Sequence, residues 1–265
     1  MDREFVPVRH PHPSPLPEVE GVTPRVVLIP GLNGHPGLLM RYAPQLFPNW
    51  HVRAFNHHVD LAAGGVEGLA SRALDLLEQD EAVFVCGESF GGTVALTLAH
   101  MAPERVKGLI LFSAFGWHPS RLARRSARAL AVWSFLGATV GNNVYRAGRV
   151  ASLPTQLGLR FPRALLRDYL FRPRAHVIAY RTKAELSLRF DARPWLGDID
   201  CPAFVLIGTW DPVVPASAGR ELAQRMRNAT LLSLRGGHLV HLVNARRVGA
   251  LIDAWARDLH SSGPR

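Results

Sequence analysis

Ala82-Val83-Phe84-Val85-Cys86-Gly87-Glu88-Ser89-Phe90-Gly91-Gly92 decides how this chain is read. Its first five residues are a continuous apolar run bounded by Gly87. The residues from Gly92 to His100 are mostly small or apolar until Pro103 stops them. A buried strand running straight into a helix is the expectation. The turn between them, Gly-x-Ser-x-Gly, holds Ser89 at a sharp bend with its hydroxyl above the end of the strand. Gly87 and Gly91 suit that bend, because a bulkier residue at either place would collide with the neighbouring strand or helix. The helix that follows points its first amides at the serine, which favours negative charge developing there. Glu88 is expected to face the surrounding packing rather than to act as an acid.

The same alternation extends in both directions. Arg25 to Ile29 is a short β-branched run ended by Pro30-Gly31, and Trp50 to Phe55 could be the next strand. Leu69, Ala73, Leu76 and Leu77 have helical spacing within Gly68–Glu78. Further strands are expected at 106–113, 203–208 and 229–234, with helices around 217–226 and 243–259. Continuous apolar strands alternating with helices predict an α/β fold with a mostly parallel central sheet and helices on both faces. Residues 117–195 break the rhythm, and they read as an inserted helical cap within one domain spanning 1–265.

The chain has 265 residues, 48% of them apolar, enough for one sizeable core. The charged start and the prolines at 7, 11, 13, 15 and 17 lack the apolar run of a signal peptide, and no stretch is long enough to span a bilayer. Cys86 and Cys201 adjoin strand-like runs and read as core thiols in a reducing compartment, so a cytoplasmic location is expected. A disulfide between them stays open at this stage. His57-His58 and His10-Pro11-His12 lack the spacing and company of a zinc site, so no metal or other cofactor is expected.

A serine hydroxyl needs an imidazole to take its proton, and the imidazole works best when a carboxylate fixes its tautomer. His238 follows Gly236-Gly237 after the last strand, where a short loop can carry it over the sheet's edge. His241, three residues on, is its rival at the start of the closing helix. Asp211 directly follows the strand 203–208, in a loop stiffened by Pro212 and Pro215. Asp198 and Asp200 precede that strand and fall at the opposite end of the sheet. Ser89, Asp211 and His238 are therefore the expected nucleophile, orienting acid and base.

With these motifs in hand, the chain resembles the α/β-hydrolase superfamily over about Arg25 to Leu259. The markers are Gly87 to Gly92, the stretch Gly208-Thr209-Trp210-Asp211-Pro212-Val213-Val214-Pro215, and Gly236-Gly237-His238-Leu239-Val240-His241. The resemblance implies the α/β-hydrolase fold and an oxyanion hole made of two backbone amides, those of Phe90 and of Leu32 in Pro30-Gly31-Leu32-Asn33-Gly34. Asn33 is expected to stabilise that loop. The superfamily carries many chemistries, so the resemblance does not name a substrate.

Charge is localised. Residues 117–195 hold fifteen Arg or Lys against three acidic residues, while the whole chain carries +10. Arg121, Arg124, Arg125 and Arg128 share one helical face. That stripe is either a solvated surface or an attraction for an anionic or carrier-borne substrate. No nucleic-acid-reading motif accompanies it, so a nucleic-acid partner is not expected. Trp133, Phe135, Phe161, Tyr169, Phe171 and Tyr180 read as cap core, some of them lining an apolar acyl pocket.

The leading expectation is a serine hydrolase cleaving a carboxylic ester, or a thioester, of a small or acyl-chain substrate through an acyl-enzyme. An acyltransferase using the same three residues is the alternative. A non-catalytic ligand-binding protein is the lesser one. A haloalkane dehalogenase would need aspartate at position 89.

Overall fold

The computed structural model describes residues 23–58, 60–77, 81–118, 174–211 and 213–261. The Arg121–Arg128 stripe, and the aromatic residues expected in the cap apart from Tyr180, lie outside them. So does the proline-rich start.

Six strands form one sheet in the order β2-β1-β3-β4-β5-β6, every pairing parallel. They are β1 (Arg25–Ile29), β2 (His51–Ala54), β3 (Val83–Glu88), β4 (Val106–Phe112), β5 (Ala203–Gly208) and β6 (Ala229–Leu234). The apolar runs are continuous because each strand is covered on both faces. Val27, Ile29, Val83, Val85, Leu109, Leu111, Val205 and Ile207 enter one core. The residues between them, including Val26, Leu28, Phe84, Cys86, Ile110, Phe112 and Leu206, enter the other. Each fully buried aliphatic side chain contributes roughly 2 kcal/mol through its removal from water.

The first core is closed by α2 (Gly65–Leu74), α3 (Phe90–Met101) and α5 (Ala216–Arg225). The second is closed by α1 (Gly37–Leu46), the short α6 (Val240–Val243) and α7 (Ala245–Ser261). Helix α4 (Arg174–Arg189) lies between β4 and β5 in sequence and packs against α3. Among the described residues, no helix is long and apolar enough to cross a membrane. Cys86 and Cys201 are free thiols, the first of them buried.

Three elements differ from the sequence reading. Helix α1 has no counterpart there, because Pro44 sits inside it and masks the buried spacing Leu39, Ala43, Leu46. The closing helix expected over 243–259 is α7, and a separate short helix, α6, precedes it. The break falls at Asn244, whose side-chain Nδ2 donates to Val240 O at 2.9 Å and caps α6. Helix α2 also starts and ends about one turn earlier than its apolar spacing suggests.

Strand order reverses between β1 and β3, since β2 lies on one side of β1 and the rest of the sheet on the other. The helical connections after β1 and β3 therefore diverge to opposite faces. The topological switch point, where open sheets of this kind place their ligands, lies above the C-terminal ends of those two strands.

Candidate active site

Ser89 sits at that switch point, between the last residue of β3 and the first of α3, with φ 54° and ψ −119°. A non-glycine residue in that region is strained and must be held there by its surroundings. Its amide donates to Phe112 O at 2.8 Å, which extends the β3–β4 pairing one step past Glu88. Close approach on both sides explains the flanking glycines. A Cβ on Gly87 would lie 2.6 Å from Gly91 O, and one on Gly91 would lie 2.1 Å from Ile29 O. These obstacles are backbone atoms, which cannot swing aside. The start of α3 leaves its first amides without intrahelical carbonyls, Phe90 among them.

Gly31, just after β1, lies directly against the serine. A Cβ built on it would be 3.4 Å from Ser89 Cβ and 4.0 Å from Ser89 Oγ. Leu32 is the next residue of that turn. Asn33 accepts a hydrogen bond from the amide of His35 at 3.2 Å, so its side chain shapes the loop.

Asp211 and His238 come together from the ends of β5 and β6. His238 Nδ1 lies 2.7 Å from Asp211 Oδ2, with the two side chains nearly enclosed. An ionised carboxylate only accepts, so Nδ1 carries the proton, and Nε2 of the neutral ring is left as the acceptor. The other carboxylate oxygen accepts from the amides of Val213 at 2.8 Å and Val214 at 2.9 Å. The two loops touch at Gly208, where a Cβ would lie 2.4 Å from Gly237 O. The Ser89 hydroxyl itself makes no hydrogen bond among the described residues. Such contacts are often loose before substrate binds.

His241 does something else. It is fully buried, its ring stacks on Phe112 at 4.5 Å, and neither nitrogen has a hydrogen-bond partner among the described residues. Burial, and secondarily the nearby His238, lower its pKa to about 3. It is a neutral core residue in the geometry of this site.

Two features are visible only in the structure. The Ser113 hydroxyl, one residue past β4, donates to His238 O at 2.8 Å. Ser113 also has a positive φ of 47°. In the sequence it is a small polar residue ending an apolar strand, which marks a boundary and nothing more. The second is Glu88, whose carboxyl is raised above its ordinary value by burial, while the imidazole of His238 pulls in the opposite direction.

A family model described as the alpha/beta hydrolase fold matches residues 66–245, a span running from α2 to α7. The chain belongs to the alpha/beta hydrolase family. The chain is 31% identical over 237 residues to a pimeloyl-(acyl-carrier protein) methyl ester esterase from Chromobacterium violaceum, covering 81% of this chain and 86% of that one. It is 29% identical over 191 residues to a poly(3-hydroxyalkanoate) depolymerase from Ectopseudomonas oleovorans. That match covers 71% of this chain and only 65% of the depolymerase. Among solved structures, a hydrolase from Oleispira antarctica superposes with a TM-score of 0.71 at 16% identity, over 89% of this chain and 92% of that one. At that identity the likeness speaks for the fold.

Proposed function

We propose that this hydrolase cleaves carboxylic esters, with Ser89 as nucleophile, His238 as base and Asp211 as the residue that orients the base. The observation that carries the reading is the Asp211–His238 hydrogen bond, formed at the same sheet edge as a serine held at φ 54°. Ser89 Oγ attacks the acyl carbon while His238 Nε2 takes its proton. The amides of Phe90 and Leu32 hold the oxyanion, each contributing about 10²–10³ in rate. The bond from the acyl carbon to the alcohol oxygen breaks, and the imidazolium returns its proton to that oxygen. Water then adds to the acyl-enzyme, again losing its proton to His238. The acid departs and Ser89 is restored. Asp211 keeps the ring in the productive tautomer and stabilises its cationic form.

The relative from Chromobacterium violaceum, by its name an esterase of a methyl ester borne on a carrier protein, supports an ester as the bond cleaved. The excess of Arg and Lys in residues 117–195 supports an anionic or carrier-borne acyl substrate. The cap reading of that segment belongs to the same proposal. Its support is the stem: Ala192 N donates to Gly116 O at 2.7 Å and Trp117 bridges to Asp191, so both ends leave the sheet at one place.

Hydrolysis of p-nitrophenyl butyrate tests the assignment. Ser89→Ala is expected to lower turnover by ~10³–10⁴ and to abolish labelling by a fluorophosphonate probe. Equal hydrolysis by parent and variant would remove Ser89 from the mechanism. A series of acyl chain lengths, as oxygen esters and as thioesters, then ranks the substrate class.

A further inference from the structure

Lys183 is fully buried, and no step above uses it. It belongs to the inward stripe of α4, where Ala179, Lys183 and Ser187 recur every four residues and are all buried. Its Nζ donates to His57 O at 2.6 Å and lies 3.2 Å from His57 Nδ1. An ammonium can only donate, so Nδ1 accepts. The single ring proton of His57 is then on Nε2, which donates to Pro30 O at 3.1 Å. Burial, and next the charge of Lys183, lower the pKa of this imidazole to about 3, so it stays neutral near pH 7.

The backbone of His57 grips the other end of the same turn. Its amide donates to Gly34 O at 2.9 Å, and Gly34 N donates to Gly31 O at 2.8 Å. Gly34 has φ +67°, and a Cβ there would lie 2.6 Å from both C and O of His57. No other residue type fits that conformation against that neighbour. One buried histidine therefore meets Pro30 and Gly34, the two ends of the turn that carries Leu32. Gly31 in the same turn lies against Ser89.

We propose that Lys183 and His57 are positioning residues that clamp the turn Pro30–Gly34 and hold the Leu32 amide opposite Ser89, tying the oxyanion site to helix α4. The clamp stands on geometry, and its kinetic consequence rests on the ester-hydrolase reading. A shift of α4 therefore reaches the oxyanion turn through two side chains. A buried hydrogen-bonded chain of this kind fixes a discrete geometry.

The full-length chain carrying Lys183→Met, His57→Phe or His57→Gln tests this. Met keeps the apolar stem and removes the ammonium. Phe keeps the ring volume and removes both nitrogens, while Gln keeps a donor for Pro30 O. Hydrogen exchange is followed in peptides covering 28–36, with β3 as the internal reference. Lys183→Met and His57→Phe are expected to raise exchange in the turn about tenfold and leave β3 unchanged. On p-nitrophenyl butyrate, kcat is expected to fall about 10²-fold with KM within about twofold, and His57→Gln to recover most of the loss. Unchanged exchange in the turn overturns the clamp, and so does an equal rise in the turn and β3. Raised exchange with unaltered kcat overturns the link to the oxyanion site. A parent protein that neither hydrolyses the ester nor accepts the fluorophosphonate defeats the ester-hydrolase reading instead, and the exchange data still decide the clamp.

Discussion

The Ser113 hydroxyl donates to the backbone carbonyl of His238 at 2.8 Å, joining the end of β4 to the loop after β6 across the intervening strand β5. Ser89, just past the end of the adjacent strand β3, has its own amide fixed to Phe112 O. Ser89 and the loop carrying His238 are thus referenced to two consecutive residues, Phe112 and Ser113.

Ser113→Ala is expected to free the His238 loop without touching a reacting atom. Loss of one buried hydrogen bond predicts about 1 kcal/mol of stability lost. Misplacement of the imidazole predicts a fall in kcat of about tenfold with little change in KM. Thermal unfolding and p-nitrophenyl ester kinetics measure the two effects separately. A KM effect alone would contradict the positioning role.

Gly208→Ala tests how closely the acid and base loops must approach. The added methyl would lie 2.4 Å from Gly237 O and 2.7 Å from Gly236 O, both backbone atoms. The expected cost is about 1–3 kcal/mol of stability. Because the Asp211–His238 distance must open, kcat should also fall by about 10²-fold. A variant with parental kcat and parental melting temperature would show that the loops yield freely.

Glu88→Gln gives a pH signature. Burial raises the carboxyl in the folded state, so the folded chain holds this proton more tightly than the unfolded one. Its stability contribution is therefore present at low pH and lost as pH rises through the folded value. Glutamine stays neutral throughout. The melting temperature of the variant relative to the parent is expected to rise between pH 4 and pH 8, and a flat difference would refute this.

Much of the fold was legible because its strands are covered on both faces, which leaves runs such as Ala203 to Ile207 without a polar interruption. The three residues proposed for the site stand out in the sequence because each follows the end of a strand. Helix α1 was not, since Pro44 disguises it, and the break at Asn244 depends on a side-chain cap with no distinctive local pattern. Contacts between distant segments were beyond sequence reasoning altogether. Lys183 counts toward the positive charge of residues 117–195, yet it is enclosed and spends its protons on His57. Composition counts such a lysine as surface charge.

His241→Phe probes a buried imidazole with no partner. The stacking on Phe112 is retained, while two unsatisfied nitrogens are removed. A gain of about 1–3 kcal/mol is expected at pH 7. The folded pKa of about 3 lies below the ordinary histidine value, so the parent loses stability as pH falls from about 6.5 toward 3. The advantage of phenylalanine should therefore widen from pH 7 to pH 5 in denaturant titrations. A gain that shrinks on acidification would contradict a neutral, enclosed His241.

The hydrogen bond from Ala192 to Gly116 and the direct pairing of β4 with β5 make the 117–191 stretch a detour with a closed base. Its departure and return points are held by the sheet rather than by its own sequence. On the cap reading proposed above, exchange of that stretch would leave the strand ends under Ser89, Asp211 and His238 where they are. Under that proposal, what the protein accepts would diversify by replacement of this stretch, with one constraint: a newcomer must still supply a donor for His57.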